Sequence, residues 1–392
     1  MELETIHQRL ASNPIADPAA AVRERLDALG IDPPAGAVAL TAGSRGIANI
    51  ALILRTCGEW LRERGASPFV VPAMGSHNGG TAPGQRAMLE GLGMTEAALR
   101  MPIRSSMDTV RIGEVPFGPV FMDRYAYEAA CVLVVNRVKR HTSFGGPPFG
   151  THAESGLAKM MSVGLGKTEG ARTFHEAPTE LKPAHLDGMT SRVLATGKIW
   201  AGLAILEDGY DQTAELHAVA PADLQLREFE LLAHYVDTYF PRLPFDDINV
   251  LVVEQIGKNF SGTGLDTNVI GRRGLADAPD PESPRINAIA ALSLSPESQG
   301  NAIGVGLCDV ITQRLRDAID VEKTRLNATV AGGLAKAEVP LVLPDDRAVL
   351  EWLRSQFGEE RWVVIPNTLR LDTLRVSRDL AAVVAAGEES PG

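Results

Sequence analysis

Three histidines and three lysines fall within the stretch Asn136–His175 (His141, His152, His175, Lys139, Lys159 and Lys167), which follows an apolar run at Cys131–Val135. Imidazole titrates near neutrality, so a histidine in a strand-to-helix loop can carry protons. Two histidines sit in such loops, His77 between small residues and His141 just beyond the apolar run. Each has a second reading, as a helix cap or a partner for a backbone carbonyl. Lys139 and Arg140 are expected to lower the pKa of His141. His152 lies in a Gly- and Pro-rich insert and reads as an exposed loop residue. His175 has no partner at metal-ligand spacing, so alone it is a weak metal candidate. Lys159 sits in the apolar segment Leu157–Met161, where an amine is costly unless paired, covalently bonded or functional; the alternative is a lysine snorkelling from a helix edge. Arg45 and Lys258 each follow a strand within a loop, as a carboxylate clamp or as surface charge.

The elements that must position these residues can be read from the apolar pattern. Residues 1–36 read as one or two helices broken by Pro14, Pro18, Pro33 and Pro34. Strand, polar loop and helix then recur. Ala37–Leu40 leads through Thr41–Gly46 to a helix at Ile47–Arg64. Pro68–Pro72 leads through Ala73–Gly80 to a helix at Pro83–Leu92. Weaker strands fall near Val110–Ile112 and Val120–Met122. Ala130–Val135 is the third strand, and a helix is expected over Glu154–Val163. In an open parallel sheet the carboxyl ends of strands share an edge where ligands bind, so Arg45, His77 and His141 can meet. Helix N-termini after two of these loops suit an anion. None of the loops carries GxGxxG or GxxxxGK[ST].

Lys198–Val219 reads as a hairpin turning at Asp208-Gly209. Ala222–Phe240 reads as an amphipathic helix with Leu226, Phe229, Leu232, Val236 and Tyr239 inward. Pro241–Pro244 marks a boundary, giving an N-terminal domain of 1–244 and a smaller C-terminal α/β domain of 245–383. In the second domain, strands are expected at Asn249–Val253, Ile286–Leu294 and Trp362–Ile365, and helices at Gly304–Ala318 and Asp346–Phe357. Residues 384–392 read as a disordered tail. The fold class is therefore α/β, with a Rossmann-like, mostly parallel N-terminal sheet and the active site in the cleft.

The 392 residues carry a net charge of −11, which argues against nucleic acid or an anionic membrane as partner. A local anionic substrate remains open. Cys57, Cys131 and Cys308 lie apart in apolar contexts and suit core packing rather than a disulfide framework or zinc site. The charged start MELETIHQRL is no signal peptide and no apolar run spans a membrane, so a cytoplasmic location is the default.

Taken together, these residues resemble the nickel-dependent lactate racemase family, whose members carry a nickel-pincer nucleotide. The resemblance covers roughly residues 37–370. Ser44-Arg45 matches the family's Thr-Arg loop, and Gly75-Ser76-His77 its Gly-Thr-His. His141 matches the second catalytic histidine, Ser155–Lys159 the segment with the cofactor lysine, His175 the nickel-binding histidine, and Gln255–Lys258 a QxxK signature. Arg45 to His77 is 32 positions, His77 to His141 is 64, and Lys159 to His175 is 16, close to the family pattern. The chain departs at Ala42, where the family has an acidic residue, at Gly46, where it has proline, and in an insert at Gly145–His152, expected to reshape the substrate pocket.

The resemblance implies racemisation or epimerisation of a 2-hydroxy acid. His77 and His141 would be the acid/base pair, Arg45, Gln255 and Lys258 would hold the substrate, and Ser44 and Gly75 would contact the cofactor. The cofactor, a pyridinium-3,5-bisthiocarboxylic acid mononucleotide holding nickel, would be joined to Lys159, with His175 on the metal. Enzymes that make the cofactor would be partners. Asp266, Asn268, Arg272 and Arg273 offer contacts to a polar substrate tail, or form a solvated loop. Two other readings stay open: a zinc-assisted hydrolase or lyase, weakened by the lack of an HExxH-type cluster, and a non-catalytic nucleotide- or sugar-acid-binding protein, which Ala42 and Gly46 keep in play.

Overall fold

Apolar runs rich in β-branched residues become strands buried on both faces, as parallel sheets demand. The structure, a computed structural model, describes residues 2–146, 152–275, 278–331 and 333–388. It divides into two compact units, Ala11–Phe240 and Met1–Leu10 with Pro241–Gly392. The chain opens with a strand, β1 (Leu3–His7), where helix is expected. β1 pairs antiparallel with the strand Thr373–Ser377, so its partner lies at the far end of the sequence and leaves no local signal. The helical expectation for residues 1–36 holds only at Pro18–Ala28, capped by Asp17.

The N-terminal unit is built on β2 (Gly36–Ala42), β3 (Ala66–Pro72), β6 (Cys131–Arg137), β7 (Ile199–Glu207) and β8 (Thr213–Val219), in the order β3-β2-β6-β7-β8; β4 (Thr109–Val115) and β5 (Gly118–Asp123) form a separate hairpin. All pairs in the five-stranded sheet are parallel except β7 with β8, which turn through the expected Asp208-Gly209. The helix Ile50–Glu63 packs Ile53, Leu54, Cys57 and Leu61 into the core, positions recurring at helical spacing. Cys57, Cys131 and Cys308 are buried free thiols, and burial pushes Cys57 and Cys308 up to about 12 and Cys131 to about 11, so all three are inert.

Two helical expectations change in this unit. The helix Leu224–Thr238 buries Leu224, Glu228, Leu231, Leu232 and Tyr235, and leaves Leu226 exposed. The true inward stripe therefore includes a carboxyl group, which an apolar count passes over. The helix expected over Glu154–Val163 is a short turn at Leu157–Lys159 running into a π turn at Met160–Gly164.

The C-terminal unit holds β9 (Asp247–Ile256), β10 (Arg285–Leu294), β11 (Val310–Thr312), β12 (Leu341–Leu343), β13 (Trp362–Ile365) and β14 (Thr373–Ser377) in one seven-stranded sheet with β1, in the order β1-β14-β13-β9-β10-β11-β12. The five strands from β13 to β12 are parallel, and β14 and β1 turn antiparallel at the edge. The helix expected over Gly304–Ala318 is instead a 3-10 turn, β11 and a short helix. Thr312 stops the strand and starts the helix, its hydroxyl accepting the Leu315 N–H at 3.1 Å. The last helix, Arg378–Glu388, runs through the start of the expected tail; residues 389–392 lie outside the described residues. No described helix is long and apolar enough to cross a membrane.

Candidate active site

Register fixes the site. Ala42 at the end of β2 pairs with Pro72 of β3, and Leu40 with Leu133 of β6, so the loops after these three strands leave one edge. They and the segment Ser155–His175 enclose a pocket of about 200 Å³, lined among others by Ser44, Arg45, Gly75, His77, Arg137, Lys159 and His175. Of the residues singled out in the sequence, the structure thus gathers six here, and His141 joins them through Lys159. Gln255 and Lys258 belong to the C-terminal unit. There the Lys258 ammonium donates to the Gly262 carbonyl at 2.8 Å and to Asn327 Oδ1 at 2.7 Å, shaping its own loop. Five residues of the Gly145–His152 insert, 147–151, lie outside the described residues. His152, expected to be exposed, is half-buried against Asp187 at 2.6 Å.

Close backbone approach draws the loops together. Gly75 has φ +60° and donates its N–H to the Gly164 carbonyl at 3.2 Å. A Cβ on Gly164 would lie 2.7 Å from the Ala73 carbonyl oxygen, and one on Gly75 would crowd Ala171 at 3.3 Å.

The two loop histidines are held differently. His77 Nδ1 lies 2.5 Å from Ser44 Oγ, a hydroxyl that can donate or accept, so the partner leaves either ring tautomer open. His141 stacks on Phe144 with ring centroids 4.0 Å apart, and its Nδ1 accepts the Ser143 N–H at 3.0 Å. Buried Glu154 clamps this loop, accepting the His141 N–H at 2.7 Å and the Gly146 N–H at 2.9 Å.

Lys159 Nζ lies 2.5 Å from His141 Nε2. Desolvation, then the charges of Arg45 and Lys182, bring the Lys159 ammonium down to about 7. Among the described residues no carboxylate pairs with it. Its segment is fixed from behind by Glu228, which accepts the Ala158 N–H at 2.7 Å and whose carboxyl burial pushes up to about 8. His175 stands on the helix Lys167–Glu176, exposed to the pocket. Desolvation of its inner edge, then Lys182 and Lys159, push it down to about 4, so it is neutral at pH 7 with a nitrogen lone pair to offer.

Arg45 is exposed at the pocket, where desolvation and the facing Arg137 lower its pKa while leaving the guanidinium charged. Arg137 is ion-paired to Glu207, which also accepts the Ala48 N–H at 2.6 Å. Sequence reasoning missed Glu154, Glu228, Lys182 and the Arg137–Glu207 pair. Only Glu228 had a signal, an acid on the inward face of a helix.

Among the described residues no three His, Cys, Asp or Glu side chains converge as a metal site. A zinc hydrolase therefore has no ligand set in the described structure. The donor set does fit a metal that arrives on an organic ligand and takes one protein nitrogen, since His175 is neutral and Lys159 lies in the same pocket. Arg45 suits an anionic group.

These features define an α/β protein with a ligand pocket at the carboxyl edge of a parallel sheet and an amine at its floor. Among solved structures, it is similar to the lactate racemase apoprotein from Thermoanaerobacterium thermosaccharolyticum, with 13% identity, a TM-score of 0.55, and coverage of 93% of this chain and 94% of that one. A protein of known structure from Thermotoga maritima is similar too, at 13% identity and a TM-score of 0.55, covering 91% of this chain and 89% of that one. The chain thus has a lactate racemase-like fold. No family model matches the sequence, and no curated protein matches it.

Proposed function

We propose that this chain is a divergent relative of the nickel-pincer racemases and interconverts the stereoisomers of a 2-hydroxy acid. The observation that carries the proposal is the meeting of Arg45, His77, Lys159 and His175 in one pocket, with His141 bonded to Lys159. Lys159 would hold the cofactor as an amide, which removes the cost of burying an amine, and His175 would supply the protein nitrogen to nickel. When bound, the nickel-pincer nucleotide accepts and returns hydride.

The chain's own residues do the remaining work. Arg45 meets the substrate carboxylate and fixes the carbinol carbon. His77 takes the hydroxyl proton at one face, and the Ser44 hydroxyl can follow either tautomer of its ring. His141 serves the other face. The apolar wall of Met160, Val163 and Phe174 excludes water from the keto acid formed between the two transfers. Enzymes that build the cofactor are the implied partners.

The test is intact mass and nickel content of the chain co-expressed with cofactor-making enzymes, beside Lys159→Ala. The expected result is a mass adduct with about one nickel in the wild type and none in the variant, followed by turnover of a chiral 2-hydroxy acid. An unmodified wild type, under conditions that load a known racemase, overturns the proposal.

A further inference from the structure

Hydrogen bonds around His141 fix where its proton sits. Nδ1 receives the Ser143 backbone N–H at 3.0 Å and faces that of Phe144 at 3.4 Å. A backbone N–H only donates, so Nδ1 carries a lone pair and the neutral ring is protonated on Nε2. That Nε2–H lies 2.5 Å from Lys159 Nζ. An ammonium has three donors and no lone pair, so it cannot receive this proton, whereas a neutral amine can. We propose that His141 has a task that precedes turnover: it holds Lys159 as a free amine and so primes it for acylation. The inference rests on the reading of Lys159 as the point of covalent attachment.

The surroundings agree. Arg45 faces Lys159 from the loop after β2, and Lys182 from the helix Lys182–Leu194, both cations that disfavour a third. His175, from the helix between, is neutral at pH 7. Glu228 is engaged on the far side by the Ala158 N–H. The Phe144 stack and the Glu154 clamp hold the imidazole in place while the lysine reacts.

The co-reactant is an activated carboxyl or thiocarboxyl group. The Nζ lone pair turns from the Nε2–H to form a bond to the acyl carbon, and the bond from that carbon to its leaving group breaks. The leaving group departs with the bonding pair and one amine proton, so no oxidant or reductant is needed. The resulting amide nitrogen has no basic lone pair. The Nε2–H then loses its acceptor and is released to the pocket, where the acid/base role begins.

The experiment acylates the purified full chain with the N-hydroxysuccinimide ester of acetic acid from pH 5 to 10, mapping Lys159 by peptide mass, in wild type and His141→Phe. Wild type should react with a midpoint near neutrality. The variant should react about tenfold more slowly at pH 7, the worth of one hydrogen bond, and match the wild type at pH 10. Recovery at high pH shows that access and fold are intact. Superimposable profiles overturn the inference. Nitrogen-15 NMR of the ring gives a second check: protonation on Nε2 supports it, and protonation on Nδ1 overturns it. A wild type that follows these profiles yet takes no nickel adduct on co-expression sinks the cofactor reading alone.

Discussion

Lys159 and Lys167 lie eight positions apart on one segment, and their surroundings give them opposite chemistry. Lys167 is fully buried with an ion pair to Asp123 at 3.0 Å, and donates to the Pro72 carbonyl at 2.5 Å and to Gln85 Oε1 at 3.3 Å. Three acceptors match the three N–H bonds of an ammonium, so we assign it as charged, although burial pushes its pKa down and that of Asp123 up. Lys159 meets an imidazole and two cations. What a desolvated amine becomes is thus decided by its partners, a carboxylate and two carbonyls in one case and an N–H donor in the other. The first network is structural: Gln85 also donates to the Gly75 carbonyl at 2.7 Å, tying the Lys167 ammonium to the loop that presents His77.

The largest expected effects separate the two lysines. Lys159→Ala should lose the covalent adduct entirely, read by intact mass, while Lys159→Met should be no less stable than wild type in urea at pH 7, because it removes a desolvated amine. Lys167→Met should lose ~3–5 kcal/mol, since it strands the Asp123 carboxylate in the core. A stable Lys167→Met protein would break the comparison. Adding Asp123→Leu to it should restore part of the loss, because the stranded charge is then gone.

The pH dependence sharpens it further. His175 has a folded pKa near 4 against 6.5, and Lys159 one near 7 against 10.5. Between each pair of values the unfolded chain binds more protons than the folded one, so stability rises with pH across about 4 to 6.5 and again across about 7 to 10.5. His175→Gln should flatten the first rise and Lys159→Met the second, in urea midpoints measured across the range. The smallest effect is expected at Glu228. Glu228→Gln keeps an oxygen for the Ala158 N–H and should cost less than ~1 kcal/mol, whereas Glu228→Leu orphans that donor and should cost ~1–3 kcal/mol in the same assay.

Strands were legible where a longer run of β-branched or apolar residues is buried on both faces, as at β3, β6 and β9. β1 was not, because Leu3–His7 is stabilised by a partner some 370 positions away and is itself mostly exposed. β11 was hidden by its three-residue length inside a pattern that counts as helix. Within the site, the residues on strand-end loops could be read from the sequence because loop chemistry is local. Glu154 and Lys182 could not, because their meaning lies in backbone N–H groups and charges brought near only by folding; Glu228 showed only as an acid on the inward face of a helix.

The π turn at Met160–Gly164 carries a consequence for how such a site can change. A π turn holds one residue more than a turn of α-helix, and each residue of α-helix rotates the chain by ~100°. Loss of a single codon there would let a regular helix run on from Lys159, with the hydropathy of the segment barely altered. It would also rotate the backbone beyond the turn by ~100° about the helix axis, and with it the Gly164 carbonyl that accepts the Gly75 N–H. Reading frame and composition would survive such a deletion, and the bond that draws the His77 loop against this segment would not.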